Sequence, residues 1–187
     1  MTNTVLDYLS NGSAITYLVL ALLSFYFILV VWIFVYKYLS VSTQSDNEKK
    51  SLESLLNRSS VVSPLSKLSK CMNNSKNSKE LFNACEITII KDASSGISWL
   101  SIVASTAPFI GLFGTVVGIL ESFAKFADEE KVSFAVIAPA ISEALVATAA
   151  GIFVAIFAYT FHQILTRKVF ELNTYLKSQS EILISRG

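Results

Sequence analysis

The sequence predicts an all-α integral membrane protein of three transmembrane helices, from the length of its apolar blocks, their lack of charge and the placement of its basic residues. Hydrophobic residues make up 52% of the 187. They collect in blocks at about 14–36, 97–120 and 132–166, each longer than the roughly 20 residues that a helix needs to cross ~30 Å of hydrocarbon. The first two blocks hold no charged residue, and the third holds a single acid, Glu143. Runs so long and so poor in charge do not suit the core helices of a soluble bundle.

Basic residues set the orientation. Lys37, Lys49, Lys50, Arg58, Lys67, Lys70, Lys76, Lys79 and Lys91 lie between the first and second blocks, and Arg167, Lys168, Lys177 and Arg186 follow the third. The first thirteen residues carry none, and the connection between blocks two and three has Lys125 and Lys131 against four acids. The positive-inside rule puts the N-terminus and that connection outside, and the loop and tail in the cytoplasm. The expected layout is an external N-terminus at 1–13, transmembrane helix 1 at 14–38, a cytoplasmic loop at 39–96, transmembrane helix 2 at 97–120, an external connection at 121–134, transmembrane helix 3 at 135–163 and a cytoplasmic tail at 164–187. A formal net charge of +1 gives no case for nucleic-acid binding.

The first span is bulky: Tyr17, Phe25, Tyr26, Phe27, Trp32 and Phe34 leave little room for close packing and suit lipid contact. Trp32, Tyr36 and Tyr38, grouped around Lys37, read as an interfacial belt. No basic stretch precedes this span, so it reads as retained and not as a signal peptide. The loop after it is rich in Ser, Asn and Lys. Short amphipathic helices are expected around Leu52-Leu55-Leu56 and Leu81-Cys85-Ile89, with breaks near Pro64 and Asn73-Asn74. Cys71 and Cys85 fall in this cytoplasmic loop and are expected to be reduced thiols.

The second span has the opposite texture. Ser101, Ala104, Pro108, Gly111, Thr115, Gly118 and Ser122 recur at helical spacing and form one small, mildly polar face. Gly114 and Gly118 add a small-xxx-small pair on the neighbouring stripe, which lets helix backbones approach closely. Pro108 removes a backbone donor and is expected to bend the helix. The third span answers with Ile141, Ala144, Thr148, Gly151 or Ile152, and Ala155, so spans two and three are the expected packing partners and span one the outer element. Leu165, Val169, Leu172, Leu176 and Leu183 keep an alternating four-three spacing through the tail, with Gln179 in the remaining slot. The third helix is therefore expected to run on and pack against a partner helix.

No nucleophile–base pair, metal-ligand spacing or phosphate loop points to an enzyme, and no cofactor is implied. His162, the one histidine, falls near the inner end of span three. The polar groups at membrane depth are more informative. A carboxylate at the centre of a span costs roughly 2.5–3.5 kcal/mol on insertion scales, so Glu143 is expected to face protein or a watery path. Thr115 and Thr148 add hydroxyls to the small faces of adjacent spans, where each could instead bond back to its own helix. Five residues separate Glu143 from Thr148, about 140° on a helical wheel. Either Glu143 faces a neighbouring helix or subunit, or Pro139 distorts the start of the helix. Glu143 then reads as a gating or packing carboxylate, with Thr115 and Thr148 the better candidates for a pore surface.

At these residues the chain resembles the TolQ/ExbB/MotA proton-channel family. The resemblance rests on Ala107-Pro108-Phe109-Ile110-Gly111-Leu112-Phe113-Gly114-Thr115-Val116-Val117-Gly118-Ile119 and on Ala138-Pro139-Ala140-Ile141-Ser142-Glu143-Ala144-Leu145-Val146-Ala147-Thr148-Ala149-Ala150-Gly151. It implies a homo-oligomeric ring, five copies in characterised relatives, in the bacterial inner membrane, with spans two and three lining a central pore. It implies single-span TolR/ExbD-type partners whose transmembrane aspartate takes and releases the proton, and a TolA/TonB-type protein that carries energy to the envelope. Thr115, Glu143 and Thr148 match the proton-path or gating positions, and Pro108, Gly111, Gly114, Gly118, Pro139 and Gly151 the helix-packing positions. The chain departs from the family in Pro139-Ala140, where Pro-Gly is usual, in Val117, where Trp is common, and in Phe157, where a proline is common. Its short start, Val5-Leu6-Asp7-Tyr8-Leu9, resembles the TolQ branch more than the ExbB branch, and so implies a Tol-Pal role, with ExbB-type energising of uptake the alternative.

Overall fold

The computed structural model describes residues 14–57, 66–68, 79–126 and 134–186. Among the described residues four helices follow in order: α1 (Ala14–Leu56), α2 (Lys79–Ser94), α3 (Ile97–Phe126) and α4 (Phe134–Arg186). Three of them, α1, α3 and α4, are long and apolar enough to cross a membrane. The described residues group into two compact units, one built from Met1–Val31 with Leu100–Thr160, the other from Trp32–Trp99 with Phe161–Gly187.

Length alone says that two of these helices outrun a bilayer. At 1.5 Å per residue the 43 residues of α1 reach about 65 Å and the 53 residues of α4 about 80 Å. The hydrocarbon core takes about 30 Å of either. The continuation of α4 through the tail agrees with the four-three spacing read from its leucines. The continuation of α1 to Leu56 corrects the expectation of a separate short helix around Leu52. Between Ser40 and Asn57 there is no glycine or proline to interrupt the ladder, which closes with Asn57 N–H donating to Glu53 O at 3.1 Å. The breaks expected near Pro64 and Asn73-Asn74 lie outside the described residues.

The second unit has a conventional apolar core. Val41 from α1, Leu68, Phe82, Ile89 and Ala93 around α2, and Leu172 and Leu176 from α4 are all buried together. Cys85, Ile90, Val169 and Leu183 pack on this cluster, and Phe34 stacks on Phe161 with ring centroids 4.0 Å apart. Cys85 is disulfide-bonded, against the expectation of a reduced thiol, and Cys71 lies outside the described residues.

A polar hub sits in the same unit. Gln179 is fully buried, and its amide nitrogen donates to Glu48 O at 2.9 Å and to Glu48 Oε2 at 3.1 Å. Its amide oxygen accepts from Ser51 Oγ at 2.9 Å. The Glu48 carboxylate also accepts from Ser66 Oγ at 2.7 Å and from the Lys67 backbone N–H at 2.7 Å. Four donors to one buried side chain and its carbonyl offset the loss of water, which is how a buried acid is tolerated. Gln179 therefore fills the odd slot of the leucine pattern because it ties α4 to α1.

The elbow between α2 and α3 is equally defined. Ser95 N–H closes on Lys91 O at 3.0 Å, Gly96 takes φ +82°, and Trp99 N–H returns to Gly96 O at 3.3 Å. A left-handed residue just past a helix end favours glycine. Lys37 Nζ donates to Asp92 O at 3.1 Å, satisfying one of the carbonyls that the end of α2 leaves open.

Candidate functional site

In the first unit α3 and α4 meet along a seam of small residues. A methyl group added at Gly111 would lie 2.6 Å from Ala147 O and 3.0 Å from Thr148 Cα. One added at Gly151 would lie 2.6 Å from Ala107 O. The two backbones are thus in direct contact, which only residues without a Cβ permit here. Gly118 abuts Ala144, and Ala107, Ala144 and Ala147 are essentially excluded from solvent. Helix α3 stays continuous through Pro108, as α4 does through Pro139.

The first span is more than an outer element. A methyl group at Gly114 would meet Val19 Cγ1 at 2.9 Å, and one at Gly118 would meet Thr16 Oγ1 at 3.2 Å. Thr16, Val19, Leu23 and Val30 are all buried. The bulky composition of α1 hid this, because its packing stripe is made of Thr and Val among larger side chains.

The polar residues of the seam are joined. Thr115 is buried and hydrogen-bonds to Thr148 through their hydroxyl oxygens. Thr115 Oγ1 also lies 3.0 Å from Ala144 O across the seam and 3.2 Å from Gly111 O on its own helix, and Thr148 Oγ1 lies 3.3 Å from Gly111 O. Each hydroxyl has one proton to donate. Two protons therefore serve three acceptors, the two carbonyls and the partner hydroxyl, and the bonds can be redistributed by rotating the hydroxyls. The back-bond to the same helix exists, but it is one of several options and not the whole of the threonine's role.

The sequence paired these threonines as pore surface. Within one chain Thr115 is turned into the seam and only Thr148 is partly exposed. Glu143 is half-buried with Oε1 out of solvent reach, and it directly precedes Ala144, whose carbonyl Thr115 can bond. Neither threonine hydroxyl bonds to the Glu143 carboxylate, in keeping with the angular separation on α4. The back-bond of Thr115 to Gly111 O was expected, but the cross-helix acceptors, Ala144 O for Thr115 and Gly111 O for Thr148, were not foreseen. As backbone atoms they leave no mark in residue type, and they are reachable across the seam because the glycines bring the helices so close.

The model of the MotA/TolQ/ExbB proton channel family matches residues 34–178. The chain is 40% identical over 188 residues, the full length of both proteins, to "Putative biopolymer transport protein ExbB-like 1" of Helicobacter pylori strain ATCC 700392 / 26695. It is 46% identical over 79 residues to the biopolymer transport protein ExbB of Pseudomonas putida, a match covering 42% of this chain and 24% of that one. It is 48% identical over 62 residues to the Tol-Pal system protein TolQ of Pseudomonas aeruginosa, covering 33% of this chain and 27% of that one.

Proposed function

Because the chain belongs to the MotA/TolQ/ExbB proton channel family, we propose that it is a proton-channel subunit of an energy-transducing complex in the bacterial inner membrane. The observation that carries this reading is the hydroxyl pair Thr115–Thr148 on two apolar helices, with a half-buried carboxylate, Glu143, one residue from the backbone acceptor of that pair. Polar groups at membrane depth are expensive and are kept for function or for helix association.

In this reading several copies, five by analogy, form a ring, and a single-span TolR/ExbD-type partner brings a transmembrane aspartate to the α3–α4 surface. The partner's carboxylate is the proton carrier. Thr148 offers it a hydroxyl, Thr115 and the carbonyls behind it let that hydroxyl reorient, and Glu143 gates a helix–helix contact. The chain works without a cofactor and is not an enzyme. Motion of the partner passes to a TolA/TonB-type protein.

For the branch, the full-length ExbB-like relative supports an ExbB-type role in energising outer-membrane uptake. The match to the TolQ of Pseudomonas aeruginosa supports the TolQ-type reading, a Tol-Pal role in outer-membrane integrity. Deleting the gene separates them. Loss of iron acquisition with normal detergent resistance supports the first, and detergent sensitivity with normal iron uptake supports the second. Affinity purification from native membranes should recover a one-span protein with an intramembrane Asp. Recovery of the chain without such a partner, together with full function of Glu143→Ala and Thr148→Ala, sinks the channel reading.

A further inference from the structure

Two buried acids in the second unit are held very differently. Glu48, 2% exposed, is met by donors from Ser66, Lys67 and Gln179. Glu86 on α2, 8% exposed, has one side-chain donor, Ser180 Oγ on α4, 2.7 Å from Oε1. That hydroxyl also lies 2.9 Å from Lys177 O, so its single proton is shared. Oε2 takes no bond from any described residue, and it is not sealed from solvent. Glu86 lines a cavity of about 510 Å³ between α2 and α4, with Phe82 and Ile184 as apolar walls. Glu80 and Glu181 also line it, so the acids outnumber the two bases present, Lys79 and Lys177. Neither lysine pairs with Glu86, and the ion pairs among the described residues are those of Glu171. A carboxylate buried with so little bonding calls for a cation from elsewhere.

We propose that this cation is Lys50 of a second copy of the chain. The proposal rests on the reading in which several copies form a ring. Copies inserted the same way in one bilayer are related by an axis along the membrane normal, so a residue meets its neighbour's residues at its own level. Hydrogen bonds fix the level. Gln179 bonds Glu48, and Ser180, next in the chain, bonds Glu86, so these four residues form one layer across α1, α4 and α2. Lys50 is exposed and only about 3 Å along α1 from Glu48. It stands about 200° round the helix from Glu48, which turns it away from α4. Gln179 and Ser180 diverge by about 100°, so α1 and α2 flank α4 on different sides. The lysine and the cavity are thus on different sides of the unit, as the two halves of a head-to-tail contact must be. Other bases miss the layer. Lys37 and Lys91 lie toward the far end of α2, where Lys37 reaches Asp92 O, and Arg167 and Lys168 are about 18 Å or more back along α4 from Ser180. The Lys50 stem fits along Ile184, which is 41% exposed, with its ammonium on Glu86 Oε2.

The test is zero-length cross-linking of the full chain in native membranes with a carbodiimide, which joins an amine to a carboxylate in contact with it. The dimer band is digested and its linked peptides are sequenced by mass spectrometry. A Lys50–Glu86 link is expected. It should also form when Lys50→Gln and Glu86→Gln chains are co-expressed, where only a bond between two copies can produce it. Glu86→Gln keeps the shape and the acceptor for Ser180 Oγ, and Lys50→Gln is on an exposed face, so both chains should fold. Self-association of the purified chain on dilution in detergent should weaken about tenfold with either substitution, and no further with both. A dimer band without this link, from a Glu86→Gln chain that associates as tightly as the unsubstituted one, overturns the proposal and leaves the ring reading standing. A link from Glu86 to Lys79 or Lys177 of its own copy overturns it as well, since the cavity then supplies its own cation. A chain that is monomeric at every concentration defeats the ring reading itself, and the proposal with it.

Discussion

Thr115 on α3 and Thr148 on α4 hydrogen-bond to one another across a seam where the two backbones touch. The pair joins a packing feature to a chemical one. Gly111 and Gly151 bring the helices together, and that closeness puts Ala144 O and Gly111 O within reach of the hydroxyls. Removing the hydroxyl at Thr115 is expected to cost about 0.5–2 kcal/mol, the range for hydrogen bonds between membrane helices. Thr115→Val should lower the unfolding temperature of the detergent-purified chain, and Thr115→Ser should restore most of the loss. Equal stability of Val and Ser variants is the contrary result.

The seam itself makes a sharper demand. Gly151→Ala and Gly111→Ala each drive a methyl group to 2.6 Å from a backbone oxygen, which cannot swing aside. Separation of the helices should destabilise the chain by about 1–3 kcal/mol, as overpacking does. Gly118→Ala meets the Thr16 hydroxyl at 3.2 Å and the Ala144 methyl at 3.4 Å, a smaller intrusion that should cost clearly less. Thermal melts of the three variants side by side check this ordering, and a Gly118 variant as unstable as the other two would contradict it.

These two sites show what the sequence carried and what it withheld. The small stripe Gly111, Gly114, Gly118 and Gly151 was legible because absence of bulk at helical spacing is visible in one dimension. So was the buried row Leu165, Leu172 and Leu176, which is fully excluded from solvent. The direction of Thr115 was not legible, since a threonine on a small face can point into the seam or away from it. The length of α1 was hidden by the polar run after Lys37, which resembles a loop in composition but contains no residue that ends a helix. Gln179 looked like a blank in its pattern because its partners, Glu48 and Ser51, are 131 and 128 residues away.

The Gln179 hub can be probed by size-matched replacement. Gln179→Leu keeps the bulk but leaves Ser51 Oγ and Glu48 short of partners, at about 1–3 kcal/mol for each group left unsatisfied. Gln179→Glu should be worse, because it sets a second carboxylate against the buried Glu48. Limited proteolysis of the purified chain should then cut the end of α4 faster in both variants, and fastest in Gln179→Glu. Unchanged cleavage in Gln179→Glu would mean that the hub does not hold α4 to α1.

The most direct test of the channel reading is proton entry into proteoliposomes loaded with a pH-sensitive dye, driven by a potassium-diffusion potential. Three preparations are compared: the chain alone, the chain with its single-span partner, and the same complex carrying Thr148→Val. The expected result is internal acidification with the complex alone, and flux at the level of the partnerless chain for Thr148→Val. Flux through the chain without a partner, or full flux through the Thr148→Val complex, would contradict the assignment of the carrier to the partner and of the hydroxyl pair to the path.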